Sequence, residues 1–552
     1  MSDRRSRDFE AGLAADVDAW LAGQPTRRDF IKELGKMTGM LVASGGLLPV
    51  YSDWAIAQVA LDLADARTPL GKAQAAVISA STKGPADGSA YRAVEAAKRY
   101  QGVTLTMTFG KGPQTLEPRN FSGPIWEQLT GIKSTVVELP YPDLFSRAIL
   151  EHIAQSGALD ILDIEPAWTP SLAEGGVIAP LDDYIDQFMN KADLDDYHPL
   201  YKALPRYKGK TWGLFDDGDI FALYYRKDIF EDPELNEAYS AKFNRALVVP
   251  RTWEDYIQVA QFITDQLAPN VYGAAHFRKA GAPGNQHDFL QQYRANGGIL
   301  FDDNMRAQLA SPAGLRTLRN MLAANAASMP GNDEFDAVAV WAAWLQGRVA
   351  MIYSWPPTGR MTANYAQTAE AIRFVPRSAI ADKVGYALVP GNPEHALGFN
   401  KALAADSANP EAAYLFMQWI TSPAVSLARV MLPYSLRDPY RLSHFRSNLY
   451  RQLWPGAKDY LRNLSDSANI GLLDIVMPGS QDYALSLDRM CTAVWAGADP
   501  MTALAAAAAE WNATTDRLGA EAQRAFFEEY KKLPGSSADH TVERLGMAVT
   551  VD

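Results

Sequence analysis

The sequence predicts an α/β chain of at least two packed units with a helical C-terminal part. Three observations carry this. At 552 residues the chain is too long for one ordinary domain. Between residues 103 and 164, stretches with period-2 apolar alternation are separated by stretches with helical spacing, which is how strands joined by helical crossovers read. The alternation returns in "NVYGAAHFR", "FDAVAVWAAWLQGRVAMIYSW" and "VGYALVPG", and beyond Asn400 the texture turns helical.

In chain order, the first segment is an address. Thr26-Arg27-Arg28-Asp29-Phe30-Ile31-Lys32 has the pattern of a twin-arginine export signal. Met37 to Ser52 is uncharged but too short and glycine-rich to span a membrane, and Ala55-Ile56-Ala57 offers small residues for cleavage. Residues 1–57 are therefore expected to be a signal peptide. No cysteine stands at the cleavage point, so the expected product is exported without a lipid anchor. Residues 58–99 are alanine-rich and helix-prone, interrupted by the loop-forming "STKGPADGS", and read as a peripheral N-terminal extension. "GVTLTMTFGKG" places Val103, Leu105, Met107 and Phe109 on one face of a strand. A helix and a second strand follow in "SGPIWEQLTGIKSTVVEL". "YPDLFSRAILEHIAQ" gives a helix with Asp143 as N-cap and a stripe of Phe145, Ile149 and Ile153, before a strand from Leu159 to Ile164. This order implies a parallel sheet.

Composition excludes several functions. The formal net charge is −12 and no Lys/Arg cluster occurs in the body of the chain, which argues against nucleic acid and anionic membranes. The single Cys491 permits no disulfide and no cysteine metal site. The seven histidines show no metal-binding spacing, so no metal is expected. No phosphate-binding glycine loop or dinucleotide fingerprint is present, so no cofactor is expected.

"LPYPDLFSRAILEHIAQSGALDIL" with "LAEGGVIAPLDDYI", and "YKGKTWGLFDDGDIFALYYRKDIFED" with "VPRTWEDYIQVAQFIT", resemble the family 1 extracellular solute-binding proteins of carbohydrate ABC importers. "LQGRVAMIYSWPPTG", "VGYALVPGNPEHALGFNKAL" and "NPEAAYLFMQWITS" continue the resemblance in order, over roughly residues 100–520. "RDPYRLSHFRSNLYRQLWPGAKDYLRN" is longer than in compact members. The resemblance implies a two-lobed periplasmic-binding-protein fold of type II-like arrangement, with the lobes joined at a hinge. It implies lobe 1 at 100–217 plus about 396–433, lobe 2 at 218–395 plus about 434–530, and a tail at 531–552. The implied function is a periplasmic receptor without catalysis. It would pass a sugar, oligosaccharide or polyol to an ABC permease after export by the twin-arginine translocase.

A site for such a ligand needs carboxylates for paired hydrogen bonds and aromatic rings for apolar sugar faces. In "GLFDDGDIFALYYRKDIF", Asp219 falls where family members place a ligand-binding carboxylate. Asp217 shares its face if the run is extended, whereas Asp216 points away as a solvated turn residue. "DILDIEPAW" ends a strand with Asp163 and Glu165, where α/β sheets hold ligands. Trp168 resembles the stacking aromatic of this segment, with a core role as its rival reading. Trp355 in "MIYSWPPTG" matches the second-lobe aromatic of the family. Arg278 and Tyr483 are chosen by position, and Lys111, Glu117 and Asn120 are weaker candidates.

The alternatives are less well supported. A calcium loop fits poorly because the glycine of "DDGDIFALYY" comes too early and no glutamate follows at the right distance. An exported glycosidase using Asp217 and Asp219 remains the second reading, because a separation of roughly 7 Å would suit an inverting pair.

Overall fold

The structure, a computed structural model, describes residues 64–551 apart from 283, 366–375 and 392–393. By internal contacts the chain divides into Met1–Ile56 and Ala57–Asp552, and the described residues belong to the second unit. The twin-arginine segment lies outside them.

Strands β1 (Thr104–Gly110), β2 (Lys133–Leu139), β3 (Ile161–Ile164) and β4 (Ile178–Ala179) build the first lobe. A short hairpin of β5 (Arg206–Tyr207) and β6 (Lys210–Thr211) precedes β7 (Leu214–Phe215). The second lobe uses β8 (Ala222–Arg226), β9 (Tyr272–Ala274), β10 (Val349–Ser354) and β11 (Val384–Ala387). Then come β12 (Glu394–Ala396), β13 (Asn400–Ala404) and β14 (Gly471–Leu473).

The first sheet has the order β2-β1-β3-β13-β4, with β7 also paired to β13. Its β1 pairs with β2 and β3 in parallel, as the helical crossovers require. It is not the all-parallel sheet expected, because β13 runs antiparallel to β3, β4 and β7. That strand returns from the second lobe, and its buried "NKALA" opens the region where the sequence suggested only helices. The second sheet is β11-β8-β10-β9, with β8 antiparallel to both neighbours.

Two local expectations change. Pro142, not Asp143, occupies the cap position of helix Asp143–Ile153. That helix buries Leu144 and Ala148, while Ile153 is 71% exposed. The segment expected as a peripheral extension is part of the core. Helices Pro69–Thr82 and Ser89–Ala97 lie on Pro423–Met431 and Pro410–Thr421, burying Val77, Ala93 and Val94. Trp419 Nε1 donates to Ser81 Oγ at 2.9 Å, and Gln418 Nε2 to the Ser89 carbonyl at 2.9 Å. Among the described residues no helix is long and apolar enough to cross a membrane.

The chain passes between lobes through residues 216–221 and returns through 397–399, and the two passages touch. Ile220 bridges to Ala396, Leu397 N donates to the Asp219 carbonyl at 3.1 Å, and Asp216 N donates to the Phe399 carbonyl at 2.9 Å. Gly398 makes this approach possible. Its φ is +113°, and a Cβ there would stand 1.9 Å from the Asp217 carbonyl oxygen. Gly398→Ala is expected to cost about 2 kcal/mol or more, read as a lower urea midpoint; an unchanged midpoint would refute the constraint.

Candidate functional site

The three aspartates of the 216–219 stretch do not lie on one continuous strand, since β7 ends at Phe215 and β8 begins at Ala222. All three are buried between the lobe passages. Asp216, expected in solvent, is the most completely paired. Arg429 donates to both its carboxylate oxygens, Nη2 to Oδ2 at 3.1 Å, and Lys401 Nζ lies 2.9 Å from Oδ2. Burial alone would push its carboxyl up, but Arg429, Lys401 and Arg437 hold it well below the usual carboxylate range.

Around it the charges interlock. Arg429 also reaches Glu117 at 2.8 Å. Lys401 bonds Asp163, and Arg437 joins Asp163 at 2.7 Å to Asp217 at 3.2 Å. Asp438 N donates to Asp217 Oδ1 at 2.9 Å, and Arg360 pairs with Asp438 at 2.6 Å. Both Lys401 and Arg437 lie over the Phe109 ring.

The set is unbalanced. Six carboxylates (Glu117, Asp163, Asp216, Asp217, Asp219, Asp438) face four bases (Arg360, Lys401, Arg429, Arg437). Asp219 is the acid without a direct basic partner. Burial, then the charges of Asp217 and Asp438, push its carboxyl well up, and its hydrogen bond with Asp438 adds to this. Burial also raises Asp217, partly countered by Arg437, and raises Asp438, partly countered by Arg360. With burial and two neighbouring acids disfavouring its anion, the Asp219 carboxyl is held toward its protonated form, which can donate as well as accept. It keeps 8% exposure, the largest among these six acids.

A second group of candidates lies along the wall between the lobes. A small crevice is lined by Glu165 and Trp168 of the first lobe and by Gln286, Leu290, Asp474 and Ser480 of the second. Two bonds join the walls: Ser480 Oγ donates to the Ala167 carbonyl at 2.6 Å, and Gly479 N to Ser171 Oγ at 3.2 Å. Burial, then the charge of Asp474, pushes the Glu165 carboxyl well up. Trp168 is 1% exposed, its ring set against Tyr141 and Phe145, so most of it serves the first lobe's core. Trp355 follows β10 and packs on Phe221 and Phe277 with centroids at 5.1 and 4.6 Å, and edge-on to His287.

Two candidates are committed elsewhere. Arg278 pairs with Asp288 at 2.7 Å, donates to Asn325 and Tyr353, and lies over Trp495. Tyr483 bonds Thr515 and Gln523 through its hydroxyl and packs on Phe301 and Trp511 inside the helical part. Sequence reasoning missed Lys401, Arg429, Arg437, Asp438 and Arg360. The available signal was "SLRDPYR", a paired arginine and aspartate in the segment noted only for its length.

Comparison with known proteins matches residues 112–426 to the family described as bacterial extracellular solute-binding protein. A probable amino-acid ABC transporter periplasmic-binding protein of Sinorhizobium fredii is 23% identical over 358 residues, covering 60% of this chain and 76% of its own. Among solved structures, a solute-binding protein of Agrobacterium radiobacter in complex with ribitol has a TM-score of 0.63 at 22% identity, covering 74% of this chain and 98% of its own. One from Agrobacterium vitis with bound D-mannitol has a TM-score of 0.64 at 21% identity, covering 76% and 99%. A maltose-bound protein of T. maritima has a TM-score of 0.62 at 19% identity, covering 74% and 99%. These likenesses establish the two-lobed fold.

Proposed function

Because the chain belongs to the bacterial extracellular solute-binding protein family, we propose that it is the substrate receptor of an ABC importer. It captures a sugar, oligosaccharide or polyol between the lobes and hands it to a membrane permease. It acts in the periplasm after export through the twin-arginine translocase. The observation that carries the ligand class is the meeting of a carboxyl group and an aromatic wall at the lobe junction. Asp219, the least enclosed acid of the network, adjoins Phe221, which packs against Trp355. A polyol's hydroxyls need groups that both donate and accept, and its C–H faces need rings. The bound ribitol, D-mannitol and maltose of the structural neighbours support the same class. In this reading Asp219 and Trp355 contact the ligand, with Trp168 on the facing wall.

The glycosidase reading gains no support. Asp217 is tied to Arg437 and to the Asp438 backbone, which leaves it poorly placed to activate water.

The test is a thermal-shift panel of pentitols, hexitols, mono- and oligosaccharides and amino acids, with product analysis on the same samples. A true ligand at 100 times its dissociation constant should stabilise by about 2.7 kcal/mol. Binding of an amino acid alone, the class named for the Sinorhizobium relative, would overturn the ligand class. Consumption of the ligand would overturn the receptor role.

A further inference from the structure

Two histidines at the lobe junction are placed in a way that packing alone does not explain. His287 projects from helix Gly284–Ala295 and His395 from β12, and their rings stack with centroids 4.5 Å apart. Both are 1% exposed. Their placement is enforced, because the His395 backbone N–H donates to Gln291 one turn along the same helix, and the His395 carbonyl accepts from Phe221 N at 3.0 Å.

Asp474, immediately after β14, aims one carboxylate oxygen at each ring. Oδ2 lies 3.5 Å from His287 Nε2 and Oδ1 3.7 Å from His395 Nε2. These distances are at or beyond the limit of a hydrogen bond. They are close to the spacing of donor atoms around one metal ion instead, with the His395 distance slightly the longer and one carboxylate oxygen offered toward each ring. With metal–ligand distances of about 2.0–2.2 Å, ligand atoms stand roughly 3.3–3.6 Å apart. One donor atom from each of the three residues falls within 4.8 Å of the others.

The surrounding polar atoms point the same way. Both ring nitrogens of His395, Nδ1 of His287 and Oε1 of Glu165 are buried without a hydrogen-bond partner, although buried polar groups are nearly always satisfied. Glu165 lines the same crevice as Asp474 from the opposite lobe. Two neutral imidazoles and two carboxylates balance the charge of one divalent cation. The nearby cation, Arg294, is directed to the Leu473 carbonyl at 2.5 Å and the Tyr530 hydroxyl at 3.1 Å. Asp217, Asp219 and Asp438 also bring donor atoms within 4.8 Å. There, however, Arg437 and Arg360 already supply the positive charge, which disfavours a metal ion.

We propose that His287, His395 and Asp474 bind a divalent transition metal, and that Glu165, outside the group of three direct ligands, reaches the ion from the first lobe through a metal-bound water. The ion then ties the lobes together. Imidazole and carboxylate donors suit Zn²⁺.

The test uses the full chain, stripped with a chelator and titrated with ZnCl₂ in the absence of any sugar, so its outcome does not depend on the transported ligand. One Zn²⁺ per chain and a raised melting temperature are expected. Co²⁺ in place of Zn²⁺ should give the visible absorption of a tetrahedral site, a readout that needs no variant to fold. His287→Gln and His395→Gln, checked for native circular dichroism, should each weaken Zn²⁺ binding by more than about 100-fold. Glu165→Gln should weaken it by about 10-fold or more and reduce the thermal shift. Absence of stoichiometric metal, or binding that both histidine variants retain, would mean an adventitious ion only and would overturn the site. Undiminished affinity in Glu165→Gln would overturn the link between lobes.

Discussion

Arg437→Met is expected to remove about 3–5 kcal/mol of stability, because it leaves buried carboxylates without their counter-charge. Arg437 is 1% exposed and joins Asp163 and Asp217, which lie far from it and from each other in the sequence. Methionine fills much of the volume, so the loss reports charge more than packing. Urea unfolding followed by circular dichroism measures it. The double variant Arg437→Met/Asp217→Asn should recover part of the loss, since one of the stranded charges is gone. A loss below about 1 kcal/mol would mean that the network is no stronger than an ordinary surface pair.

The second large effect is expected at Asp219. Asp219→Asn should abolish the ligand-induced thermal shift while making the unliganded protein more stable at neutral and alkaline pH, by about 0.5–2 kcal/mol. The sign follows from proton linkage. The folded state holds the Asp219 proton more tightly than the unfolded chain does, because burial and the Asp217 and Asp438 charges disfavour the anion. Between the ordinary carboxylate range and the raised folded range, the native state binds more protons, so wild-type stability falls as pH rises. Asparagine removes that fall, and its advantage should shrink toward acid. Asp216 acts in the opposite sense. Its folded carboxyl is held low, so its contribution is present above the ordinary range and lost as pH drops through the folded value. Melting curves at about pH 5 and about pH 8 for wild type and Asp219→Asn test this. An unchanged pH slope would mean that folding does not raise the Asp219 carboxyl.

Much of the architecture was legible because it is local. The alternation of Leu105, Met107 and Phe109 is a property of seven consecutive residues, and β1 forms where it predicts. The two-lobed arrangement was legible only through the ordered phrases resembling a family. The mixed sheet was not, because "NKALA" is too short and too mixed in polarity to show a strand or a helix period, and its antiparallel partners lie far away in sequence. The helix pair before residue 99 looked peripheral for a similar reason. Nothing in its own sequence identifies the surface that its buried face packs on, and Trp419 and Gln418 supply those partners from more than 300 residues away.

The candidate site divides along the same line. The sequence alone determined the acidic stretch, the Arg27–Arg28 pair, the lack of a Lys/Arg cluster in the body of the chain and the alternation of strands and helices up to residue 164. Each of these is written in neighbouring residues or in bulk composition. Only the tertiary structure decided what those acids face. Asp216 turned inward to Arg429 and Lys401, Asp219 was left among acids without a basic partner of its own, and His287 met His395 beside Asp474. Charge pairing and ligand geometry depend on distances of about 3–4 Å between side chains. Those distances are set by the chain crossings between lobes, which bring remote segments together, and no spacing along the sequence records them.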